Sequence, residues 1–142
     1  MDDETVLVEQ IFNKQVSKVW KAITEKDEMK HWYFDLKEFR PEIGFEFRFL
    51  AGPGEDNEYL HICKITEVIP EKRISYSWRY NGYEGMTVVT FELIPEGEKT
   101  GLKLSHTGLE TFPESNPDFA KENFIAGWKE IIGTNLMAYL EK

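Results

Sequence analysis

Apolar and polar residues recur along this chain with periods that change from block to block, and each period predicts an element. Residues 5–12 alternate loosely and are rich in β-branched side chains, which predicts a first strand. Val16, Val19, Trp20 and Ile23 then fall three and four apart, so a short helix with one apolar face should follow, with Ser17 in its first turn. A second helical fragment is expected over 27–32. Residues 43–50 place Phe45, Phe47 and Phe49 on one face and Glu46 and Arg48 on the other, the period of a half-buried strand. Ala51-Gly52-Pro53-Gly54 breaks that strand, and an extended pattern resumes over 58–68 until Pro70.

The clearest strand is 73–80, which turns Ile74, Tyr76, Trp78 and Tyr80 inward and Ser75, Ser77 and Arg79 outward. Asn81-Gly82 begins a hairpin turn that 83–85 lengthens. Residues 87–94 put Val89, Phe91 and Leu93 on one face, and Pro95-Glu96-Gly97 leads into 100–108 with Leu102, Leu104 and His106 together. After a loop over 109–116, Pro117 suits the first turn of a last helix, where a missing N–H costs nothing. Phe124, Trp128, Ile131, Ile132, Leu136, Tyr139 and Leu140 recur at helical spacing in that helix. Gly127 and Gly133 interrupt it at about 1 kcal/mol each relative to alanine, and tight packing against the sheet is the expected reason, ahead of close approach to a ligand. The order is one strand, two short helices, five strands in consecutive hairpins and a long helix, an α+β pattern expected to form one domain over 1–142.

Composition narrows the partners. A formal charge of −9 opposes clustered phosphate contacts, so neither nucleic acid nor an anionic membrane surface is an expected partner. The acidic residues 1–4 are unlike a secretory signal, and no apolar run approaches the ~18 residues of a membrane span. The single cysteine, Cys63, cannot form an internal disulfide, and a cytoplasmic location is expected.

The chain holds no HExxH, paired CxxC, GxSxG, P-loop or dinucleotide glycine fingerprint, so no catalytic residue, cofactor or metal is expected from local motifs. His31, His61 and His106 lie on different elements without zinc-ligand spacing. His31, beside Trp32, is expected in the packing of the helical pair or at a pocket rim. Cys63 reads as a small buried hydrophobe and Glu92 as an outward carboxylate. His106 shares the inner face of its strand with Leu102 and Leu104, where it could meet a ligand, exchange protons, or be a satisfied core histidine. Aromatic residues make up 14% of the chain, more than packing alone usually requires. Phe47, Tyr76, Trp78, Tyr80, Phe91, His106, Phe124 and Trp128 are therefore the expected cavity residues. Trp78 and Trp128 should face each other across the cavity, and Tyr76, Trp78 and Tyr80 offer polar tips to orient a guest.

Several strings in their order resemble the Bet v 1-like, START-related superfamily, and most closely its branch similar to the C-terminal domain of the activator of Hsp90 ATPase. They are VSKVWKAIT (16–24), His31-Trp32, IGFEFRF (43–49), IPEKRISYSW (69–78), TGLKLSHTG (100–108) and GWKEIIGTNLMAYL (127–140). The resemblance implies a helix-grip fold, in which a curved six-stranded antiparallel sheet wraps a long C-terminal helix and leaves a cavity between them. It implies function less closely, because related domains bind apolar small molecules, cyclise them, or act on a chaperone. The expected function is a non-catalytic binding module for a small apolar or aromatic ligand. The alternatives are a chaperone-linked protein-interaction domain and a cavity enzyme using acid and base groups such as His106 and Tyr76.

Overall fold

The computed structural model describes residues 5–33, 36–51, 58–113 and 115–141. The acidic residues 1–4 and the expected break at 52–54 lie outside the described residues. Six strands form one sheet, namely β1 (Val6–Phe12), β2 (Glu46–Ala51), β3 (Tyr59–Ile69), β4 (Arg73–Tyr80), β5 (Thr87–Glu96) and β6 (Lys99–Thr107). Their spatial order is β1-β6-β5-β4-β3-β2, with antiparallel neighbours throughout. Strands β2 to β6 are thus a meander, and β1 closes beside β6 because the helices α1 (Val16–Thr24) and α2 (Lys26–Met29) carry the chain from one edge to the other. A register shift between Ile65 and Glu67 in β3 adds local twist to the curved sheet.

The period-two expectation holds along the inner face, while Ser75, expected outward, is itself buried and shares a 2.9 Å hydrogen bond with Thr90. Phe47 pairs with Cys63, Cys63 with Trp78, Ile74 with Phe91, and both Phe91 and Val8 with Leu104. All seven are buried on the inner face, and the Cys63 thiol is fully enclosed, which raises its pKa well above the ordinary value. Outward-facing Glu92 meets Arg73 at 3.3 Å, and Arg73 also meets Glu67 at 3.3 Å.

The C-terminal helix runs without a break through α3 (Lys121–Glu130), a π-helical segment (Ile131–Leu136) and α4 (Met137–Leu140). Its buried row is Phe124, Trp128, Ile132, Leu136 and Leu140, a repeat of four. At 3.6 residues per turn such a row drifts around an α-helix by about 40° per step. The wider π turn rotates less per residue and takes part of that drift back, which keeps the row on the sheet.

Three sequence expectations need correcting. Pro117 does not start the long helix; it opens a separate 3₁₀ turn (Pro117–Phe119) whose Asp118 N–H donates to the Asn116 side chain at 2.9 Å, and extended Ala120 separates that turn from α3. The second helix is a single turn, Lys26–Met29, and 30–33 continue as hydrogen-bonded turns rather than helix. β2 begins at Glu46 because Gly44, with φ of 93°, and the Phe45 N–H bond to the Glu42 carbonyl make 42–45 a turn.

Candidate functional site

Aromatic rings fill most of the space between the sheet and the C-terminal helix. The Trp78 and Trp128 rings lie 5.5 Å apart, Phe47 meets Tyr76 edge-on at 5.0 Å, and Phe91 meets Trp128 edge-on at 6.0 Å. Trp78 and Trp128 therefore touch rather than face each other across a void, which corrects the expectation of a cavity running through the centre. Among the described residues, a cleft of about 440 Å³ opens at the end of the sheet where β2 ends, β3 begins and β4 ends. That volume lies within the range of small-molecule sites.

Three segments build the cleft. The sheet contributes Tyr59 and His61 from β3 and Trp78 and Tyr80 from β4; the 3₁₀ turn contributes Asp118 and Phe119; α3 contributes Asn123, Phe124, Gly127, Trp128 and Glu130. Buried rings form its floor, while Asn123 and Glu130 are exposed at its mouth. Tyr80 stacks on Phe119 at 4.7 Å, and Tyr59 leans against both at 5.5 and 5.1 Å. A Cβ built on Gly127 meets nothing within 4 Å, so this glycine opens the cleft. Gly133 would place its Cβ 3.8 Å from the Gln10 side chain, an ordinary contact. Neither glycine is required by the tight packing expected from the sequence.

The polar groups of the cleft are held by one another. Tyr59 donates to Asp118 Oδ2 at 2.6 Å and accepts from Asn116 Nδ2 at 3.1 Å, and the hydrogen bond to Asp118 raises the phenol pKa. Trp78 Nε1 donates to the Tyr80 hydroxyl at 3.0 Å. His61 Nδ1 lies 2.9 Å from the Tyr59 carbonyl. Burial lowers the His61 pKa to about 4, opposed by the Tyr59 and Phe49 carbonyls, so the ring is neutral near pH 7.

Of the eight residues expected at the cavity, the structure places Trp78, Tyr80, Phe124 and Trp128 on the cleft. Phe47, Tyr76, Phe91 and His106 do not line it; they are core residues at 4%, 2%, 2% and 0% exposure. The physical reason differs for each polar member. Tyr76 turns its hydroxyl to that of Tyr33 at 2.7 Å, deep enough that burial raises both phenol pKa values well above the ordinary one. His106 has both ring nitrogens engaged, by Thr87 at 2.8 Å and by Trp128 at 3.1 Å. His31 lies elsewhere, stacked on Tyr139 at 5.4 Å beside a separate hollow of about 280 Å³.

Tyr59, His61, Asp118, Phe119 and Gly127 were absent from the expected set. A signal existed for the first two, since Tyr59, His61 and Cys63 share one strand face, and for Asn116-Pro117-Asp118-Phe119, a turn sequence carrying an aromatic.

A curved sheet closed on a C-terminal helix, with a cleft between the two, defines a helix-grip domain of the Bet v 1-like, START-related superfamily. A family model described as activator of Hsp90 ATPase homolog 1-like protein matches residues 13–141, and the chain belongs to that family. No curated protein matches it significantly. Among solved structures, the chain is similar to protein MLL2253 of Mesorhizobium loti, with TM-score 0.79, 26% identity and 96% of each chain covered. It is also similar to DynU16, a protein of the dynemicin biosynthetic locus, with TM-score 0.80 and 24% identity, where 99% of this chain covers 48% of that one. The Aha1 dimer from Colwellia psychrerythraea has TM-score 0.73 and 19% identity, with 96% of each chain covered. No helix among the described residues is long and apolar enough to cross a membrane.

Proposed function

We propose that this domain is a non-catalytic binding module for a small, largely apolar or aromatic ligand, held in the cleft between β3, β4 and α3. The observation that carries this reading is the open space in front of Gly127, in a cleft of about 440 Å³ floored by buried rings. A guest there gains roughly 25 cal/mol for each Å² of apolar surface removed from water, which brings micromolar affinity within reach after association costs. The buried histidines favour binding over turnover. His106 already uses both nitrogens inside the core, and burial that lowers the His61 pKa to about 4 leaves that ring a weak base near pH 7.

The test is titration with the neutral fluorophore N-phenyl-1-naphthylamine, read by its emission and by quenching of Trp78 and Trp128. Micromolar binding is expected, weakened at least ~10-fold by Gly127→Leu, whose side chain would occupy the cleft. Equal binding by the two proteins, or no binding at all, would refute the reading.

The family match favours a second reading, a chaperone-linked interaction domain. Calorimetry with purified Hsp90 separates the two, because that reading requires binding that Gly127→Leu leaves intact.

A further inference from the structure

Taking the ligand-binding reading as its base, we propose that the cleft selects organic cations, a protonated amine or quaternary ammonium on an apolar or aromatic body, over anions of the same shape. Asp118 and Glu130 are the charged residues among its described lining, and no lysine or arginine joins them. Neither carboxylate belongs to an ion pair among the described residues.

Asp118 is fixed in place. Its backbone N–H donates to Asn116 Oδ1 at 2.9 Å, the Asn116 amide donates to the Tyr59 hydroxyl at 3.1 Å, and that hydroxyl donates to Asp118 Oδ2 at 2.6 Å. This closed ring of bonds holds a carboxylate beside the Tyr59, Tyr80 and Phe119 rings, which pack within 5.5 Å of one another. A cation gains from both features, since ring faces attract positive charge and an anchored carboxylate pairs with it without further ordering cost. An anion meets both as repulsion, reinforced by a chain of formal charge −9.

Three probes with one naphthalene body test this, namely 1-naphthylmethylammonium, 1-naphthylmethanol and 1-naphthoate, titrated at pH 7.5 by calorimetry and tryptophan quenching. The ammonium is expected to bind at least ~10-fold more tightly than the carboxylate, with the alcohol between them. Asp118→Asn, which keeps an acceptor for Tyr59, should shrink the ammonium's lead over the alcohol several-fold, and Glu130→Gln should shrink it less. Glu9→Gln, exposed on β1 and outside the cleft, controls for net charge and should leave that lead unchanged. If the alcohol binds while the ammonium has no lead, or if Asp118→Asn and Glu9→Gln act alike, the charge selection is overturned and the ligand-binding reading stands. If none of the three binds, both fall.

Discussion

The indole Nε1 of Trp128, on the C-terminal helix, donates to Nδ1 of His106, on β6, at 3.1 Å. The other ring nitrogen is 2.8 Å from Thr87 Oγ1, whose own proton goes to the Trp78 carbonyl at 2.7 Å. Thr87 must therefore accept, so Nε2 carries the imidazole proton and Nδ1 is the acceptor. A second proton has nowhere to go, and burial, with His61 nearby as a lesser cause, lowers the His106 pKa to about 3.

Stability should consequently fall in mild acid. The folded pKa of His106 lies below the ordinary value of 6.5, so protons bind the unfolded chain preferentially, and the stabilisation complete above pH 6.5 is lost as pH falls toward 3. The loss reaches on the order of 3 kcal/mol by pH 4, and His61 adds a loss over 6.5 to about 4. Urea unfolding at pH 7.5, 5.5 and 4.5 measures it, and nitrogen-15 shifts should keep His106 a neutral Nε2–H tautomer at pH 5. A His106 that titrates near 6.5 in the folded protein contradicts the geometry.

Trp128 anchors the same network from the helix side. At 3% exposure, its replacement by alanine should cost about 3 to 5 kcal/mol. Trp128→Phe keeps a ring but strands the His106 acceptor, for about 1 to 3 kcal/mol. Thermal and urea unfolding check both, and a loss below about 1 kcal/mol for the alanine variant would mean the indole is not part of the core.

The strands and their inner faces were legible because a period of two leaves one assignment of faces. That assignment put Trp78 on the side that meets Trp128 but did not show that the two rings touch with no cavity between them. The empty place was not legible. Whether a ring faces another ring or open space depends on where Asn116-Pro117-Asp118-Phe119 folds back, and extended Ala120, which delays the helix to Lys121, has no signature in the pattern. His106 shows the same limit. An inward histidine is visible in the alternation, while its two partners, Thr87 and Trp128, come from elements 19 and 22 residues away.

Two glycines should respond oppositely to alanine. Gly127 has helical neighbours and nothing within 4 Å of a new Cβ, so Gly127→Ala should stabilise by up to about 1 kcal/mol. Gly85 has φ of 110°, and a Cβ there would lie 2.6 Å from the Thr111 carbonyl oxygen. Gly85→Ala should therefore destabilise by more than about 1 kcal/mol. Melting temperatures that shift in the same direction would contradict this account of the cleft and of the β4–β5 turn.

Tyr76 and Tyr80 sit four residues apart on one strand face, with Trp78 between them, yet removing their hydroxyls should have different consequences. The Tyr76 hydroxyl bonds Tyr33 inside the core and its ring does not line the cleft. Tyr76→Phe should then cost about 0.5 to 1.5 kcal/mol of stability, with little change in the affinity of a cleft ligand. Tyr80 lines the cleft, and its hydroxyl accepts the Trp78 indole proton at 3.0 Å. Tyr80→Phe leaves that buried N–H without its acceptor, so it should also destabilise, by about 1 to 3 kcal/mol, and it removes a polar group from the cleft wall. The affinity of an alcohol-bearing naphthalene probe should drop in Tyr80→Phe and hold in Tyr76→Phe when each is titrated well below its melting temperature. The reverse pattern, affinity lost through Tyr76 and kept through Tyr80, would move the ligand site from the end of the sheet to the space between Tyr33, Phe47 and Tyr76.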